Sequence, residues 1–226
     1  MKYGQYCPIA KAAEVIGERW TLLVIRELLS GATSFSELQR GLGQISPSVL
    51  SARIKTLVDV GIIELLPAGA GQARGYRLTQ AGAELAPTLE SVGIWGRRWV
   101  RSRMSRDELD VELLMLHVQR AFDVNAFPVR DAVLAFVFQD LHGPARRWWL
   151  LIERGEAELC AGAPAGRSAD LTLSCRLRTL AEVFNGDVPL TQALGSGQLA
   201  VDGPPKLTRG LPRWLRLSPF ASTPLP

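Results

Sequence analysis

The sequence predicts an α+β protein made of two parts. Helix caps and apolar residues spaced three or four apart dominate the first part, which also contains a hairpin. Runs of β-type residues separated by turn signals, and one stretch of clean alternation, mark short strands of a mostly antiparallel sheet in the second part. The pattern changes near Ser105–Glu108, so we predict two domains, residues 1–106 and 107–226.

Three helices are predicted at the start of the chain. Pro8 opens "PIAKAAEVIG", which ends at Gly17, since Pro is favoured at the first helical position and Gly at the end. The run "RWTLLVIRELLSG" is apolar on nearly all sides and predicts a buried central helix. In "TSFSELQRGLG", Glu37 follows Ser34 by three residues, as in a capping box.

A fourth helix, a hairpin and a long helix complete the first domain. In "ISPSVLSARIKTLVDVGIIE", Ser46 is the predicted cap and Pro47 the first helical residue. The stretch "IIELLPAGAGQARGYRLT" predicts two short strands around a Gly-rich tip. Thr79 then caps "QAGAELAPTLESVGIWGRRWVRSR", with a kink or restart at Pro87.

The second domain starts with a helix, "DELDVELLMLHVQRAF". Four predicted strands follow: "DAVLAFVFQD", "RRWWLLIERG", "EAELCAG" and "ADLTLSCRL". After them come a helical stretch with a Gly/Asn break, a short last strand "QLAVDG" and a Pro-started helix, "PPKLTRGLPRWLRL". Which of Trp148 and Trp149 faces inward depends on strand register, and the sequence leaves both possibilities open.

Composition excludes several classes of protein. The chain is 47% hydrophobic and 21% charged, without a run of about 18 apolar residues, so we expect no membrane partner. Charges occupy the N-terminus where a signal peptide needs an apolar core, which makes the cytoplasm the expected compartment. Cys7, Cys160 and Cys175 are far apart, so neither a disulfide framework nor a metal site is predicted. Nucleotide-binding, hydrolase and zinc-protease motifs are absent, so we expect neither a cofactor nor an enzyme.

Charge is distributed unevenly between the two predicted domains. Residues 1–106 contain 14 Lys+Arg against 8 Asp+Glu, a net charge of +6. Residues 107–226 contain 12 against 14, a net charge of −2. This asymmetry indicates that only the first domain meets a polyanion.

A helical wheel divides the helix after Ser46 into two faces. The core face consists of Leu50, Ile54, Leu57 and Val58. The opposite face consists of Ser48, Ala52, Lys55 and Thr56, with Ser51 and Arg53 at its flanks. Such a face is either an ordinary solvated surface or one shaped to enter the major groove, where small side chains let the backbone approach the bases.

The preceding capped helix and the basic hairpin favour the second interpretation, because together they form a winged helix-turn-helix. Arg53 either bonds to the preceding helix or braces a phosphate, and Arg74 and Arg77 either contact DNA or remain solvated. The predicted DNA-binding residues are Ser34, Ser36, Ser46, Pro47, Ser48, Ser51, Ala52, Arg53, Lys55, Arg74 and Arg77.

The segment "CPIAKAAEVIGERWTLLVIRELLSGATSFSELQRGLGQISPSVLSARIKTLVDVGIIE" closely resembles the HxlR-type winged-helix regulators, a bacterial group related to MarR regulators. The resemblance implies a homodimer that binds double-stranded DNA at a two-fold symmetric operator. It also implies a reading helix at Ser46 to Lys55 and a wing at Arg74 to Arg77. Ser48 departs from the long basic or polar residue that this family often has there, which leaves the bases read undetermined.

Dimerisation is the expected role of the long helix, with Val92, Ile94, Trp95 and Trp99 packing between protomers beside the N-terminal helix. The alternative is contact with the chain's own second domain. Several regulators of this group sense oxidants or quinones through a cysteine at the place of Cys7, and a helix N-terminus favours thiolate. Otherwise Cys7 is a small apolar side chain in the dimer core.

The stretch "ADLTLSCRLRTLAEVFNGDVPLTQALGSGQLAVDGPPKLTRGLPRWL" resembles the sterol-carrier-protein-like fold, in which an apolar tunnel can hold a hydrophobic ligand. The predicted lining residues, which are alternatively plain core, are Phe136, Phe138, Trp148, Phe184, Leu194 and Trp214. We therefore expect a repressor that responds to a hydrophobic small-molecule effector or to thiol oxidation. The alternative function is a lipid carrier whose first half is a protein-interaction module.

Overall fold

The computed structural model describes residues 2–67, 74–100 and 108–224. By its contacts the chain divides into an N-terminal unit, Met1–Gly96, and a C-terminal unit, Arg97–Pro226. The domain boundary predicted between residues 106 and 107 lies outside the described residues. The predicted α+β class is confirmed, since both units combine helices with a sheet.

In its described residues the N-terminal unit contains six helices and one hairpin. The helices are α1 (Pro8–Ile16), α2 (Thr21–Leu29), α3 (Phe35–Leu42), α4 (Pro47–Asp59), α5 (Gln80–Ala83) and α6 (Ala86–Trp95). The antiparallel hairpin consists of β1 (Ile63–Leu65) and β2 (Tyr76–Leu78). The predicted interruption of the long helix is confirmed, because α6 restarts with Pro87 in its first turn. A π-helical turn, Gly96–Val100, follows, and the predicted continuation beyond it lies outside the described residues.

The core of the N-terminal unit surrounds α2, as predicted for the most apolar helix. Its residues Val24 and Ile25 are fully buried, as are Leu38 of α3 and Leu50 and Leu57 of α4. Burial of a side chain of this size contributes about 1.5–3 kcal/mol. The apolar face of α4 is therefore held in this core, which turns its polar face outward.

A buried charge joins α2 to α3. The Glu27 side chain is fully buried, and its Oε1 accepts a 2.8 Å hydrogen bond from an Arg26 guanidinium N–H. Arg26 also donates to the carbonyl of Gly41 on α3, at 3.1 Å. A Cβ at position 41 would lie 1.7 Å from Glu27 Oε2, so only glycine allows this approach of the two helices.

The C-terminal unit places helices against a five-stranded sheet. Its strands are β3 (Ala132–Phe138), β4 (Arg147–Glu153), β5 (Glu156–Cys160), β6 (Leu171–Cys175) and β7 (Leu199–Asp202). Their order is β5-β4-β3-β6-β7, antiparallel throughout except for β3–β6, which confirms the mostly antiparallel sheet. Its helices are α7 (Val111–Ala121), α8 (Leu177–Phe184), α9 (Leu190–Gly195), α10 (Pro205–Thr208) and α11 (Leu211–Trp214).

Strand register decides the orientation of the two neighbouring tryptophans. Trp148 pairs with Phe136 and packs into the main core beneath the helices. Trp149 pairs with Ala135 and packs on the opposite face of the sheet, in a smaller cluster with Val133. Both rings are at least nine-tenths buried, so the sheet buries apolar side chains on both faces.

Candidate nucleic-acid interface

The first helix of the candidate reading motif begins at a capping box. Ser34 Oγ accepts a hydrogen bond from Glu37 N–H, and Glu37 Oε2 accepts one in return from Ser34 N–H. Thr33 N–H also donates to Glu37 Oε2, at 2.8 Å. This bond from Thr33, outweighing the desolvation that opposes it, lowers the pKa of Glu37 below its ordinary value of 4.5. The carboxylate therefore stays charged and holds the start of α3 at neutral pH.

A glycine and a serine cap shape the turn from α3 to α4. Gly43 adopts a left-handed φ of 61°, which glycine tolerates without a steric penalty. Ser46 then caps α4, accepting a hydrogen bond from Val49 N–H, and Pro47 occupies the first turn as predicted. The hydroxyls of Ser46 and Ser48 lie 3.2 Å apart at this exposed helix start.

The outer face of α4 exposes the small and polar residues predicted there, together with Val49. Its exposed residues between Ser48 and Thr56 are Ser48, Val49, Ser51, Ala52, Lys55 and Thr56. Thr56 donates its hydroxyl proton to the Ala52 carbonyl, so its oxygen remains an acceptor. Within the described residues Lys55 forms no ion pair, which leaves its ammonium group available to a phosphate or a guanine.

Arg53 is held inside the N-terminal unit. Its guanidinium lies 3.1 Å from Glu18 Oε2, in the segment between α1 and α2, and its side chain is 16% exposed. The sequence predicted that Arg53 bonds either to the preceding helix or to a DNA phosphate. The observed partner, Glu18, belongs to neither. Arg53 therefore braces α4 against the N-terminal segment.

The hairpin is tied to the start of α3. Tyr76 N–H donates to the Thr33 carbonyl at 2.7 Å, which sets the loop end of the hairpin strands beside the first helix of the motif. Arg74 is exposed on the loop side of β2, and residues 68–73 before it lie outside the described residues. Arg77 is also exposed, but its Nε lies 2.8 Å from Glu64 Oε1 on the opposite strand.

Two exposed residues on these helices were not predicted as contacts. Arg40 lies in the last turn of α3 and, in the described part of the chain, has no ion-pair partner. In helix-turn-helix proteins the first helix crosses the DNA backbone, so a cation there is a phosphate-contact candidate. Val49 is 40% exposed on α4, an apolar side chain of the kind that contacts a thymine methyl group. Both positions lie on the exposed sides of their helices, so helical periodicity applied to α3 and α4 together would have identified them.

All three cysteines are free thiols. Cys7 occupies the N-cap position of α1, partly buried, without a cap hydrogen bond from its side chain. Burial, with a further contribution from Asp140, raises the pKa of Cys175 to about 12, and burial also raises the pKa of Cys160. Both of these thiols are therefore protonated at neutral pH. Across the described residues no cluster of His, Cys, Asp and Glu could hold a metal ion.

The six predicted ligand-pocket residues belong to the main hydrophobic cluster of the C-terminal unit. Phe136, Phe138 and Trp214 are essentially inaccessible, and Leu194 packs partly buried against the cluster. A cleft of about 480 Å³ does occur in this unit, but its lining includes none of the six. No helix in the described ranges is long and apolar enough to cross a membrane.

Two capped helices joined by a tight turn, with a hairpin tied to the first of them, define a winged helix-turn-helix domain. Residues 15–104 match the HxlR-like helix-turn-helix family, and residues 127–215 match the SCP-2 sterol transfer family. Both resemblances seen in the sequence are thereby confirmed.

The chain is also similar to individual proteins. The HTH-type transcriptional regulator Rv3095 of Mycobacterium tuberculosis is 39% identical over 93 residues, 41% of this chain and 58% of that protein. The HTH-type transcriptional regulator YvaP of Bacillus subtilis is 33% identical over 103 residues, 44% of this chain and 94% of that protein. The structure of the reduced transcriptional regulator YodB from B. subtilis is 27% identical, with 42% of this chain and 95% of that chain covered and a TM-score of 0.38.

The chain thus spans 58% of the length of the mycobacterial protein and nearly all of YvaP. It belongs to the HxlR-like helix-turn-helix family.

Proposed function

We propose that the protein is a DNA-binding transcriptional regulator that reads double-stranded DNA with α4. The observation that carries this proposal is the outer face of α4, where small side chains surround the unpaired Lys55. A long acidic or bulky residue on this face would keep the helix out of the groove, and none is present between Ser48 and Thr56. The exposed side chains of Arg40 on α3 and Arg74 in the hairpin are the proposed contacts to the DNA backbone.

A homodimer is the proposed binding form. Neither α1 nor α6 contains a buried residue within the chain, although both are rich in apolar side chains. Ile9 is 80% exposed and Trp95 is 57% exposed, and Tyr6, just before α1, is 98% exposed. A second copy would cover these side chains, and its two-fold axis would present two reading helices to a two-fold symmetric operator.

Selection of bound genomic fragments, followed by titration of the recovered duplex, tests the proposal. We expect an affinity that falls steeply with salt, because each phosphate contact releases a counterion. Lys55→Ala should weaken binding and lower the slope of log K against log salt by about one unit if Lys55 contacts a phosphate. Loss of base discrimination would indicate a guanine contact instead.

Lys11→Ala is the matched control, since Lys11 is already paired with Glu14 on α1. Equal affinities of the wild type, Lys55→Ala and Lys11→Ala variants for every duplex would exclude α4 as the reading helix.

The proposal extends to repression of transcription that an effector relieves. A dimer seated on its operator excludes polymerase from overlapping DNA, which lowers transcription. A hydrophobic ligand of the C-terminal unit, or oxidation of Cys7, would release the dimer if either favoured a second dimer state. A panel of hydrophobic ligands that leaves operator affinity unchanged would exclude the first route, and unchanged peroxide and quinone sensitivity in Cys7→Ser would exclude the second.

A lipid carrier is the second candidate function, favoured by the match of residues 127–215 to a sterol transfer family. A carrier should extract lipid from vesicles without any salt-dependent binding of duplex DNA. We place the protein in the cytoplasm and assign it no catalytic role, so purified protein should turn over none of its bound ligands.

A further inference from the structure

The C-terminal unit contains a cleft that neither the DNA-binding proposal nor the predicted lipid tunnel uses. Its volume is about 480 Å³, within the range of about 300–1,000 Å³ found for small-ligand sites. The seven lining residues are Ala126, Pro128, Pro205, Lys206, Arg209, Gly210 and Arg213. Three of them are cations, none is acidic, and the others are small or apolar.

The basic side chains share one side of a nearly continuous helical path. Arg209 and Gly210 keep right-handed helical backbone angles between α10 and α11, so the spacing 206, 209 and 213 brings the three cations to one face. The alternate positions Leu207, Leu211 and Trp214 are buried in the core. Packing of that buried face therefore turns all three charges into the cleft.

The two walls are held rigidly to each other. Phe127, between the wall residues Ala126 and Pro128, meets Trp214 edge to face at 5.2 Å. Asp123 N–H donates to the Trp214 carbonyl at 2.8 Å, and Trp214 Nε1 donates to the Leu207 carbonyl at 3.2 Å. The ring contact and the Asp123 bond hold the wall of residues 126–128 to the basic wall, and the Trp214–Leu207 bond holds α11 to α10 within the basic wall.

The three cations of the cleft have no acidic partner among the described residues. In the described residues none of Lys206, Arg209 and Arg213 forms an ion pair, although residues 107–226 have an excess of two acidic side chains overall. By contrast Arg216, one turn beyond, is paired with Asp123. Three converging, unpaired cations in a concave site favour binding of a multivalent oxyanion.

We propose that this cleft binds a small organic anion, a phosphate or carboxylate carried on a compact apolar body. The anionic group would lie among Lys206, Arg209 and Arg213, and the apolar body would pack on Pro128, Pro205 and Ala126. A cleft of about 480 Å³ with three cations close together suits a small molecule better than a lipid surface or a DNA backbone, whose charges extend over a longer surface. The proposal concerns residues 126–213 alone and does not depend on DNA binding.

Isothermal titration calorimetry of the full chain tests the site with four probes: phenyl phosphate, phthalate, inorganic phosphate and phenol. We expect one equivalent of phenyl phosphate or phthalate to bind, more tightly than inorganic phosphate or phenol, with an affinity that falls as salt is added. Arg209→Gln and Arg213→Gln should each weaken binding about tenfold or more, because each removes a charge-assisted hydrogen bond.

Arg146→Gln is the matched control, an exposed arginine of the same unit outside the cleft, and should bind like the wild type. Both cleft arginines are exposed, so their loss leaves the core intact, and unchanged far-UV circular dichroism would verify this. Failure of phenyl phosphate and phthalate to bind, or binding that phenol matches, would overturn the proposal.

Two further experiments test whether the cleft binds duplex DNA or anionic lipid instead of a small anion. If Arg209→Gln and Arg213→Gln weaken duplex DNA binding, or sedimentation with phosphatidylglycerol vesicles, while neither organic anion binds, the cleft belongs to a macromolecular surface and the proposal is wrong. Tight phenyl phosphate binding by a protein that binds no DNA would leave this proposal standing and exclude the regulator.

Discussion

Lys55 and Arg53 lie two positions apart on α4, yet their surroundings differ. The ammonium group of Lys55 is exposed and unpaired within the described chain, whereas the Arg53 guanidinium is mostly buried against Glu18. A partly buried, paired charge is costly to break, while an exposed cation exchanges water for phosphate readily. On this helix Lys55 is therefore the residue to test for DNA contact, and Arg53 the residue to test for positioning of α4.

At the same scale, Gly41 is the residue whose substitution the structure opposes most directly. Gly41→Ala would place a Cβ 1.7 Å from Glu27 Oε2, at a carboxylate that is fully buried. We expect the N-terminal unit to lose about 1–3 kcal/mol of unfolding free energy, the usual cost of overpacking, despite alanine's better helix propensity. Hydrogen exchange of the α2 and α3 amides would measure this loss locally.

Gly195→Ala serves as the control for this substitution, because a Cβ at Gly195 of α9 meets no atom within 4 Å. It should leave exchange in α2 and α3 unchanged. Wild-type protection of those amides in Gly41→Ala would contradict the assigned close approach.

Among the elements, the hairpin shows how pairing changes the role of a cation. Arg74 stands exposed on its loop side, while Arg77 faces Glu64 across the two strands. An exposed ion pair is worth only about 0–1 kcal/mol, so DNA could displace Glu64, but the pair adds little net charge to the interface. The hairpin therefore presents Arg74 as its stronger candidate contact among the described residues.

From this we predict different salt dependences for two variants. Arg74→Ala should lower the slope of log K against log salt by about one unit, and Arg77→Ala should lower it by less, because Glu64 already neutralises Arg77. The measurement is duplex binding from low to moderate salt. A larger change for Arg77→Ala would show that Glu64 releases Arg77 to a phosphate, and Glu64→Gln should then raise affinity.

For the whole molecule, the exposed apolar helices of the N-terminal unit predict self-association. Ile9→Glu places a charge on α1, at a side chain that is 80% exposed in the single chain. We expect the variant to fold normally and to sediment as a monomer, since a buried unpaired charge at a dimer interface is strongly unfavourable. Sedimentation velocity would measure the change, with a parallel loss of operator affinity.

The control for assembly is Leu217→Glu, which adds the same charge at an exposed leucine of the C-terminal unit. It should sediment like the wild type. A monomeric wild-type protein would contradict the dimer proposal outright.

Local patterns were sufficient to predict most of the elements. The Ser34–Glu37 capping box, the Ser46 cap with Pro47, the Gly43 turn and the restart of α6 at Pro87 all depend on interactions within a few residues. Alternation along β6 and the runs of β-type residues in β3 and β4 likewise mark strands without reference to their partners. Caps and periodicity act over one or two turns, so a single sequence contains them in full.

Tertiary structure decided everything that depends on a distant partner. Arg53 pairs with Glu18 and Arg77 with Glu64 because the fold brings those carboxylates within reach. Trp148 and Trp149 divide between the two faces of the sheet through the pairing of β3 with β4.

Distant partners also decide the candidate ligand sites of the C-terminal unit. Apolar residues such as Phe136 and Trp214 are equally consistent with a tunnel or a core, and side-chain packing places them in the core. The basic cleft joins residues 126–128 to residues 205–213, which are more than seventy positions apart. The sequence by itself determined the helices, the strands and the polar outer face of α4, whose causes are local. Ion pairs, strand register and the cleft exist only where the folded chain brings remote residues together.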